Sequence, residues 1–263
     1  MATNKFKNGN LYIIIYSVVM VVVVAVLLSV TALSLKDRQA KEVLKERQKA
    51  ILQSLGKVDE NGKATVDYDT YIVESFAVDA QGNKVACDDV LGLLSDLPKT
   101  IKSGKYPVFK AQDGSYVFPV TGNGLWDVIW GYVALNDKFD TITGVVFDHK
   151  GETPGLGAEI ATKKHQQLYV GKKLFKDGKF ESVSLVKGGI KPGDPDADYK
   201  VDAITGGTKT SDGVTAMLHD CLENYIPFIN KTKAEPAVEE SEPAAEESEE
   251  ENAEPETTEV SNN

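Results

Sequence analysis

The most apolar part of the chain lies near its beginning. Residues 9–35 carry no charged side chain, and residues 11–33 read LYIIIYSVVMVVVVAVLLSVTAL. About 23 mostly apolar residues are enough to cross a hydrocarbon core of about 30 Å as a helix. A cleaved signal peptide has a shorter apolar core. The pattern therefore predicts one membrane-spanning helix, retained as an anchor.

A second helical pattern follows directly. Between Leu35 and Leu55 the apolar positions recur at spacings of three, four and seven residues, which is typical of an amphipathic helix. These positions are Ala40, Val43, Leu44, Ile51 and Leu55. Gly56 is a suitable stop, because glycine tolerates the conformation found just after a helix end. We predict that this helix continues from the membrane helix and leads the chain into a folded domain.

After residue 70 the pattern changes to short β-rich runs separated by turn residues. The predicted strands are residues 71–78, 107–110, 116–120, 128–135, 142–148, 181–186 and 199–204. The turn Gln112-Asp113-Gly114 predicts that the second and third of them form a hairpin.

Helical patterns are fewer in this part of the chain. Residues 158–169 predict a helix ended by Gly171, and residues 211–226 predict a second helix with an apolar face. Residues 89–97 predict a short helix or an irregular packing segment. Strands in runs with a few helices between them predict an α+β domain, built on an antiparallel sheet with flanking helices.

Charge divides the chain further. The net charge is −11, but the residues from Glu235 onwards contain twelve Glu and no Lys or Arg, so the rest of the chain is nearly neutral. A neutral body excludes the basic footprint of a nucleic-acid-binding protein. The acidic stretch lacks aromatic residues and predicts a disordered tail. We therefore predict a tail and membrane helix in 1–34, a domain in 35–233 and an acidic tail in 234–263.

Metal-binding patterns are absent from the sequence. The two cysteines, Cys87 and Cys221, form no CxxC motif, and the three histidines stand at unrelated spacings. The acidic run GDPDADYK at 193–200 lacks the glycine and the distal glutamate of a calcium-binding EF-hand loop. We predict no metal site, and whether the two cysteines pair stays open.

The segment DAITGGTKTS, residues 202–211, carries the strongest chemical signal. It joins a predicted strand to a predicted helix, and its two glycines allow the backbone to approach a ligand closely. A helix N-terminus offers unpaired N–H groups and suits a phosphate. Four hydroxyl groups lie within or beside this turn, on Thr205, Thr208, Thr210 and Ser211. From the residues alone, both an ordinary helix cap and a phosphate-binding turn remain open.

Two further segments bear on this choice. Residues 151–160 read GETPGLGAEI, a loop shaped by Pro154, Gly155 and Gly157 that leads into a predicted helix. Upstream, residues 122–126 read GNGLW, in which Trp126 by itself suggests half-buried packing.

Together these segments resemble the FMN-binding domain family. Asp202, Thr205, Gly206, Gly207 and Thr208 fill its flavinylation motif in order, and Gly-Leu-Trp and ETPGLG precede it behind one membrane span. The resemblance implies that FMN is bound covalently, as a phosphoester of Thr208, and that a separate flavin transferase installs it from FAD. It also implies further cofactor-binding residues around the phosphate and the ring. These are Asp202, Thr205, Gly206, Gly207, Thr210, Ser211, Glu152, Thr153, Gly155, Leu156, Gly157 and Trp126, of which Thr153, Leu156 and Trp126 contact the ring.

The family also implies a function. The Gly-Leu-Trp placement is closer to the NqrC subunits of Na⁺-pumping NADH:quinone reductases than to their counterparts in RNF complexes. The resemblance therefore implies a redox relay that works with the other subunits of such a reductase and with membrane lipid. It implies no catalytic residue of the protein's own, since flavin carries the electron chemistry.

The distribution of basic residues and the family resemblance predict opposite orientations in the membrane. Lys5 and Lys7 precede the span, whereas six Lys and Arg residues lie between residues 36 and 49, which favours a cytoplasmic C-terminus. The family implies the opposite, with the domain on the periplasmic side of a bacterial inner membrane. We favour the family orientation, because long domains translocate despite flanking charge. Two alternatives stay open for the whole chain: an RNF-type subunit, or an anchored scaffold or binding domain without flavin.

Overall fold

The structure is a computed structural model that describes residues 10–234. The predicted acidic tail lies outside the described residues, apart from Ala234, which ends a helix. The predicted division of the chain into residues 1–34, 35–233 and 234–263 stays a prediction.

One helix carries the chain from the apolar segment to the domain. Helix α1 is continuous over Asn10–Ser54, which corresponds to a length of about 67 Å. Its N-terminal part is long and apolar enough to cross a membrane and buries nothing against the domain. Burial begins near Arg47, and Ile51 and Leu52 are fully enclosed. The amphipathic segment after the apolar stretch thus continues the same helix, which ends before Gly56 with its φ of +71°.

The domain is built on a six-stranded antiparallel sheet. Its strand order is β2-β1-β3-β4-β5-β6. The strands are β1 Ile72–Val78, β2 Lys84–Val85, β3 Tyr106–Ala111, β4 Tyr116–Asn123, β5 Val128–Leu135 and β6 Ile142–His149. This confirms the predicted α+β class and the hairpin, which is β3–β4.

Short elements surround this sheet. The helices after α1 are α2 Tyr68–Tyr71, α3 Val90–Leu93, α4 Leu97–Lys102, α5 Lys163–Gln166, α6 Thr208–Glu223 and α7 Ile226–Ala234. Two small strand pairs lie beside them, namely β7 Phe175–Lys176 with β8 Lys179–Phe180, and β9 Ser184–Val186 with β10 Lys200–Asp202. The β9–β10 pair is parallel and lies outside the antiparallel six-stranded sheet.

The two faces of the sheet are covered by different helices. Alternate residues of β4 and β5, such as Phe118 and Ile129, belong to a core with Val214 and Leu218 of α6. Their neighbours in the strands, such as Val117, pack with the end of α1. Because side chains alternate along a strand, the sheet separates a face under α6 from a face under α1.

Several predicted element boundaries are wrong, three of them near the candidate chemistry. The helix predicted over Ala158–Tyr169 is two 3₁₀ helices, Gly157–Ala161 and Gln167–Tyr169, with α5 between them. The break lies at Thr162, whose backbone is extended and whose hydroxyl caps α5. The strand predicted over 181–186 is shortened because Ser182 has a positive φ. Helix α6 begins at Thr208, three residues before the predicted start at Ser211.

The two cysteines and the acidic run at 193–200 make contacts within the fold. Cys87 and Cys221 are both unpaired, and the Cys221 thiol donates a hydrogen bond to the Thr121 carbonyl. The aspartates of the 193–200 run are held by lysines, as in the Lys200–Asp194 pair at 2.9 Å. Within residues 10–234, no cluster of three or more metal-ligating side chains forms.

His165 predicts a pH dependence of stability. Its imidazole is buried, with Nε2 3.0 Å from the Tyr169 hydroxyl, and burial lowers its pKa from 6.5 to about 4. In the unfolded chain His165 is protonated below about pH 6.5, whereas in the folded chain it is protonated only below about pH 4. The free energy of unfolding therefore falls as the pH drops from 6.5 to 4. Urea unfolding of the wild type is expected to lose about 2 kcal/mol between pH 7 and pH 5. His165→Gln, which does not titrate, is expected to remove most of this slope, and an unchanged slope would refute the assignment.

Candidate functional site

Three loops meet at one end of the sheet. They are residues 124–127 between β4 and β5, residues 150–157 after β6, and residues 203–207 before α6. Together with the first turn of α6 they enclose a cavity of about 130 Å³. Its lining residues are Leu125, Glu152, Thr153, Leu156, Gly157, Gly206, Gly207, Thr208, Lys209 and Thr210. The segments that the sequence singled out therefore come together in space.

Glu152 connects its own loop to the 124–127 loop and to helix α6. Its carboxylate accepts a hydrogen bond from the Trp126 backbone N–H at 3.0 Å and another from the Thr210 hydroxyl at 2.5 Å. Its own backbone N–H donates to Nδ1 of His149. The residue is 4% exposed, so these bonds lie inside the protein. Glu152 thus ties the 124–127 loop and helix α6 to the 150–157 loop.

The Glu152 carboxyl group is held in its ionised form. Burial opposes ionisation, but hydrogen bonds from the Thr210 hydroxyl and the N–H groups of Trp126 and Leu125 outweigh it and lower the pKa of Glu152 below its usual value. At neutral pH this carboxylate can only accept hydrogen bonds. It therefore orients its donors and supplies no proton to a ligand.

Gly157 allows the loop and the helix to approach each other. A Cβ atom at this position would overlap both the Glu152 carboxylate and the Thr210 hydroxyl. Gly206, with a φ of +76°, forms the opposite wall, where a Cβ atom would collide with the Leu156 side chain. Gly157 is therefore required by space, because its neighbours are buried and hydrogen-bonded, and Gly206 is required chiefly by its backbone conformation.

The first turn of α6 opens into the cavity. Thr208 is the first residue of the helix, and Gly207 before it offers no side chain to cap the free N–H groups. The turn contains no acidic residue, and Lys209 adds a positive charge to the positive end of the helix dipole. The Thr208 side chain is half-buried, and its hydroxyl has no hydrogen-bond partner in the part of the chain that the structure describes. These features favour a negatively charged group next to the Thr208 hydroxyl.

Five predicted site residues lie outside the cavity lining. Asp202 accepts a hydrogen bond from the Ile190 N–H at 2.7 Å, and Ser211 accepts one from the Ile204 N–H at 3.0 Å. Both therefore shape the loop before α6. Thr205 and Gly155 are exposed at loop tips, and the Trp126 side chain is 69% exposed beside the cavity.

Two lining residues, Leu125 and Lys209, were missed by sequence reasoning. Leu125 stands inside the Gly-Leu-Trp segment, so the segment itself carried the signal. Lys209 lies between two predicted site residues, and a lysine in the first turn of a helix, unfavourable against the dipole, could have indicated an anion.

The size of the cavity limits what it can hold. Pockets that enclose a whole small molecule usually measure about 300–1,000 Å³, and this cavity is smaller. It can take a phosphate-sized group, while a larger ring has to lie outside it. Two of its lining side chains, Leu125 and Leu156, are apolar and exposed, and the exposed Trp126 follows Leu125 in the chain. The arrangement suits a ligand with an anionic end and a planar apolar body, and FMN has both.

Comparison with known families agrees with this chemistry. Residues 124–223 match the FMN-binding domain family. This range includes the 124–127 loop, the 150–157 loop and the first turn of α6. Fold and site thus define the chain as a protein with an FMN-binding domain that follows a long apolar N-terminal helix.

Similarity to individual proteins extends beyond this domain. The chain is 33% identical over 234 residues to the NqrC subunit of the Na(+)-translocating NADH-quinone reductase of Neisseria meningitidis serogroup B, covering 80% of this chain and 89% of the relative. A crystal structure of the NqrC subunit from Parabacteroides distasonis matches with a TM-score of 0.67 at 37% identity, over 74% of this chain and 96% of that one. The Shewanella oneidensis NqrC structure matches with a TM-score of 0.60 at 30% identity, over 73% and 98%. The chain belongs to the NqrC family of Na⁺-translocating NADH-quinone reductase subunits.

Proposed function

We propose that this chain is an electron-transfer subunit of a membrane Na⁺-pumping NADH:quinone oxidoreductase, and that it holds FMN through a phosphoester to Thr208. The observation that carries the proposal is the unpartnered Thr208 hydroxyl in the uncapped first turn of α6, at a cavity of phosphate size. Bound flavin supplies the one-electron chemistry, and the protein supplies position and environment.

The protein groups around Thr208 fit attachment of a phosphate. When a flavin transferase uses FAD, the bond from the Thr208 oxygen to the FMN phosphorus forms as the bond to AMP breaks, and the hydroxyl proton is released. The product phosphate keeps one negative charge. Free N–H groups of α6 and the Lys209 side chain stabilise that charge, because both are positive and lie on the same turn.

Glu152 acts as a positioning residue in this proposal. Because the Thr210 hydroxyl donates a hydrogen bond to the Glu152 carboxylate, it is unavailable as a second attachment point for FMN. The same carboxylate fixes the loop that carries Leu125 and Trp126. These exposed apolar side chains, together with Leu156, would contact the ring of bound FMN.

The experiment that tests this function uses the full chain co-expressed with a flavin transferase. We expect yellow fluorescence that survives denaturing electrophoresis, and peptide mass spectrometry that places an FMN phosphoester on Thr208. Co-purification with the other subunits of an NADH:quinone reductase is expected, whereas a ferredoxin-linked set would assign the chain to an RNF-type complex. A chain that stays unmodified beside an active transferase would favour a binding domain without flavin.

Orientation gives a second testable expectation. We propose that the domain lies on the periplasmic side of a bacterial inner membrane, which requires the chain after the apolar segment to cross despite the basic residues between 36 and 49. Alkaline phosphatase, which is active only in the periplasm, is expected to work when fused after residue 233. A matched fusion of a reporter active only in the cytoplasm is expected to be silent. The reverse pair of results would contradict the proposed orientation.

A further inference from the structure

A second and larger cavity lies on the other face of the sheet. It measures about 420 Å³ and is enclosed by α1 residues 43–50, the segment 94–98 and strands β4, β5 and β6. This volume falls within the range of sites that bind small molecules. The cavity shares no lining residue with the Thr208 site, and the proposed function makes no use of it.

The wall of this cavity is mainly apolar. Val43 from α1, Leu94 and Leu97 from the segment after α3, and Val128 form its aliphatic part. Trp130 adds a half-exposed aromatic side chain. Such a wall favours an apolar or aromatic body over a hydrated ion.

One buried polar group is unpartnered at this cavity. Tyr132 lines the cavity, is 6% exposed and donates no hydrogen bond to any other residue between 10 and 234. The fully enclosed hydroxyls without a hydrogen-bond partner in this range are those of Tyr68 and Ser182, and the Tyr132 hydroxyl is not one of them. This hydroxyl is therefore buried but reachable. Burial raises the pKa of Tyr132 to about 12, so the hydroxyl stays protonated at neutral pH.

Arg47 brings further donors to the same place. Its guanidinium lines the cavity and is close enough to the Tyr132 hydroxyl to favour the ionised phenol, although burial dominates. One of its nitrogens donates to the Leu91 carbonyl at 3.2 Å, which fixes the side chain against the segment opposite α1. A guanidinium has five N–H groups, so others remain for a ligand.

The charges at the rim decide the class of ligand. Lys150 forms an ion pair with Asp127 at 3.0 Å, and three acidic residues, Glu46, Asp96 and Asp148, line the cavity. An anion would face three carboxylates against one free cation, Arg47. A neutral hydrogen-bond acceptor avoids that repulsion and still receives the bond from Tyr132.

We propose that this cavity binds a neutral small molecule that carries a carbonyl oxygen on an apolar body. The carbonyl accepts hydrogen bonds from Tyr132 and Arg47, and the body lies against Trp130 and the aliphatic wall. Such a carbonyl can belong to a ring ketone or to the ester of a lipid. The cavity opens beside α1 only about 12 Å beyond the last residue of the apolar segment, Leu35.

Photo-crosslinking with benzophenone tests the site directly, because this probe is a neutral aryl ketone that attacks nearby C–H bonds on irradiation. The full chain, with or without flavin, is placed in lipid nanodiscs, irradiated at increasing probe concentration and mapped by peptide mass spectrometry. We expect saturable labelling of residues 43–50 and 94–98. Competition by 1,4-naphthoquinone or by dihexanoylphosphatidylcholine distinguishes a ring ketone from a lipid ester as the favoured source.

Substitutions make the test specific. Tyr132→Phe, which keeps the ring and removes the hydroxyl, is expected to raise the half-saturating concentration about fivefold, the effect of one hydrogen bond. Ala50→Leu is expected to abolish labelling, because it fills the cavity from α1. Tyr106→Phe removes a buried hydroxyl on the other face of the sheet and is expected to change nothing. Labelling that never saturates, or that is equal in the Tyr132→Phe and Tyr106→Phe chains, would overturn the proposal.

Discussion

Thr208→Ala is expected to give a folded, membrane-bound chain that carries no covalent flavin. The substitution removes the only oxygen through which the proposed phosphoester forms. The Thr208 hydroxyl has no hydrogen-bond partner among residues 10–234, so its loss leaves no buried group unsatisfied. Alanine is also a good helix former at the first position of α6. In-gel fluorescence and intact mass measure the effect.

Matched variants separate attachment from folding. Thr208→Ser keeps a hydroxyl and is expected to retain most of the flavin. Thr70→Ala removes an exposed hydroxyl outside both the cavity lining and the flavinylation motif, and is expected to stay flavinylated. An adduct of undiminished yield in Thr208→Ala would disprove the proposed attachment, wherever else it mapped.

Gly157→Ala is expected to have the second-largest effect. The added Cβ atom would overlap the Glu152 carboxylate and the Thr210 hydroxyl, which are joined by a buried hydrogen bond. Either that bond breaks or the 150–157 loop moves away from α6. Overpacking of this kind costs about 1–3 kcal/mol, and the displaced loop no longer closes the cavity around Thr208. We expect flavin attachment to fall by more than tenfold and the urea midpoint to drop.

A control for this variant lies in the same loop. Gly155 has a φ of +73°, but a Cβ atom there would meet nothing within 4 Å. Gly155→Ala therefore strains the backbone by about 1 kcal/mol without pushing the loop from the helix. It is expected to lower stability slightly and to leave attachment intact. Equal losses of flavin in both variants would show that loop strain, and not the approach to α6, controls the site.

The sequence predicted the sheet well because its signals were local. Each strand from β1 to β6 coincides with a β-rich run between turn residues, except the two-residue edge strand β2, and the Gln112-Asp113-Gly114 turn lies where β3 and β4 meet. The parallel pairing of β9 with β10 was missed, since it joins segments more than a dozen residues apart. A pattern of side chains along one strand does not specify a distant partner.

The sequence identified the segments that line the cavity, but not the hydrogen bonds between them or the first residue of α6. The sequence predicted that α6 begins at Ser211, three residues too late. The threonines at 208 and 210 have low helix propensity, and Gly207 at the N-cap position has no side chain that would mark a helix start. The cofactor role of Asp202 stays a prediction, and its hydrogen bond from the Ile190 N–H, twelve residues earlier in the chain, has no local signal in the sequence. Glu152 is among the residues predicted to bind the cofactor, but its hydrogen bond with Thr210 is not predictable from local pattern, because the two residues are 58 positions apart.

The uninterrupted course of α1 also determines how far the domain can reach. Between Leu35 and Ser54 the helix is a rod of about 28 Å with no glycine or proline to act as a hinge. The domain is clamped to the far end of this rod by Ile51 and Leu52. A tilt of about 20°, common for membrane helices, would carry that end sideways by about 10 Å at nearly constant height. Tilting of the helix would therefore move the domain sideways at nearly constant height above the membrane, and the domain would contact only those neighbours that lie within this range.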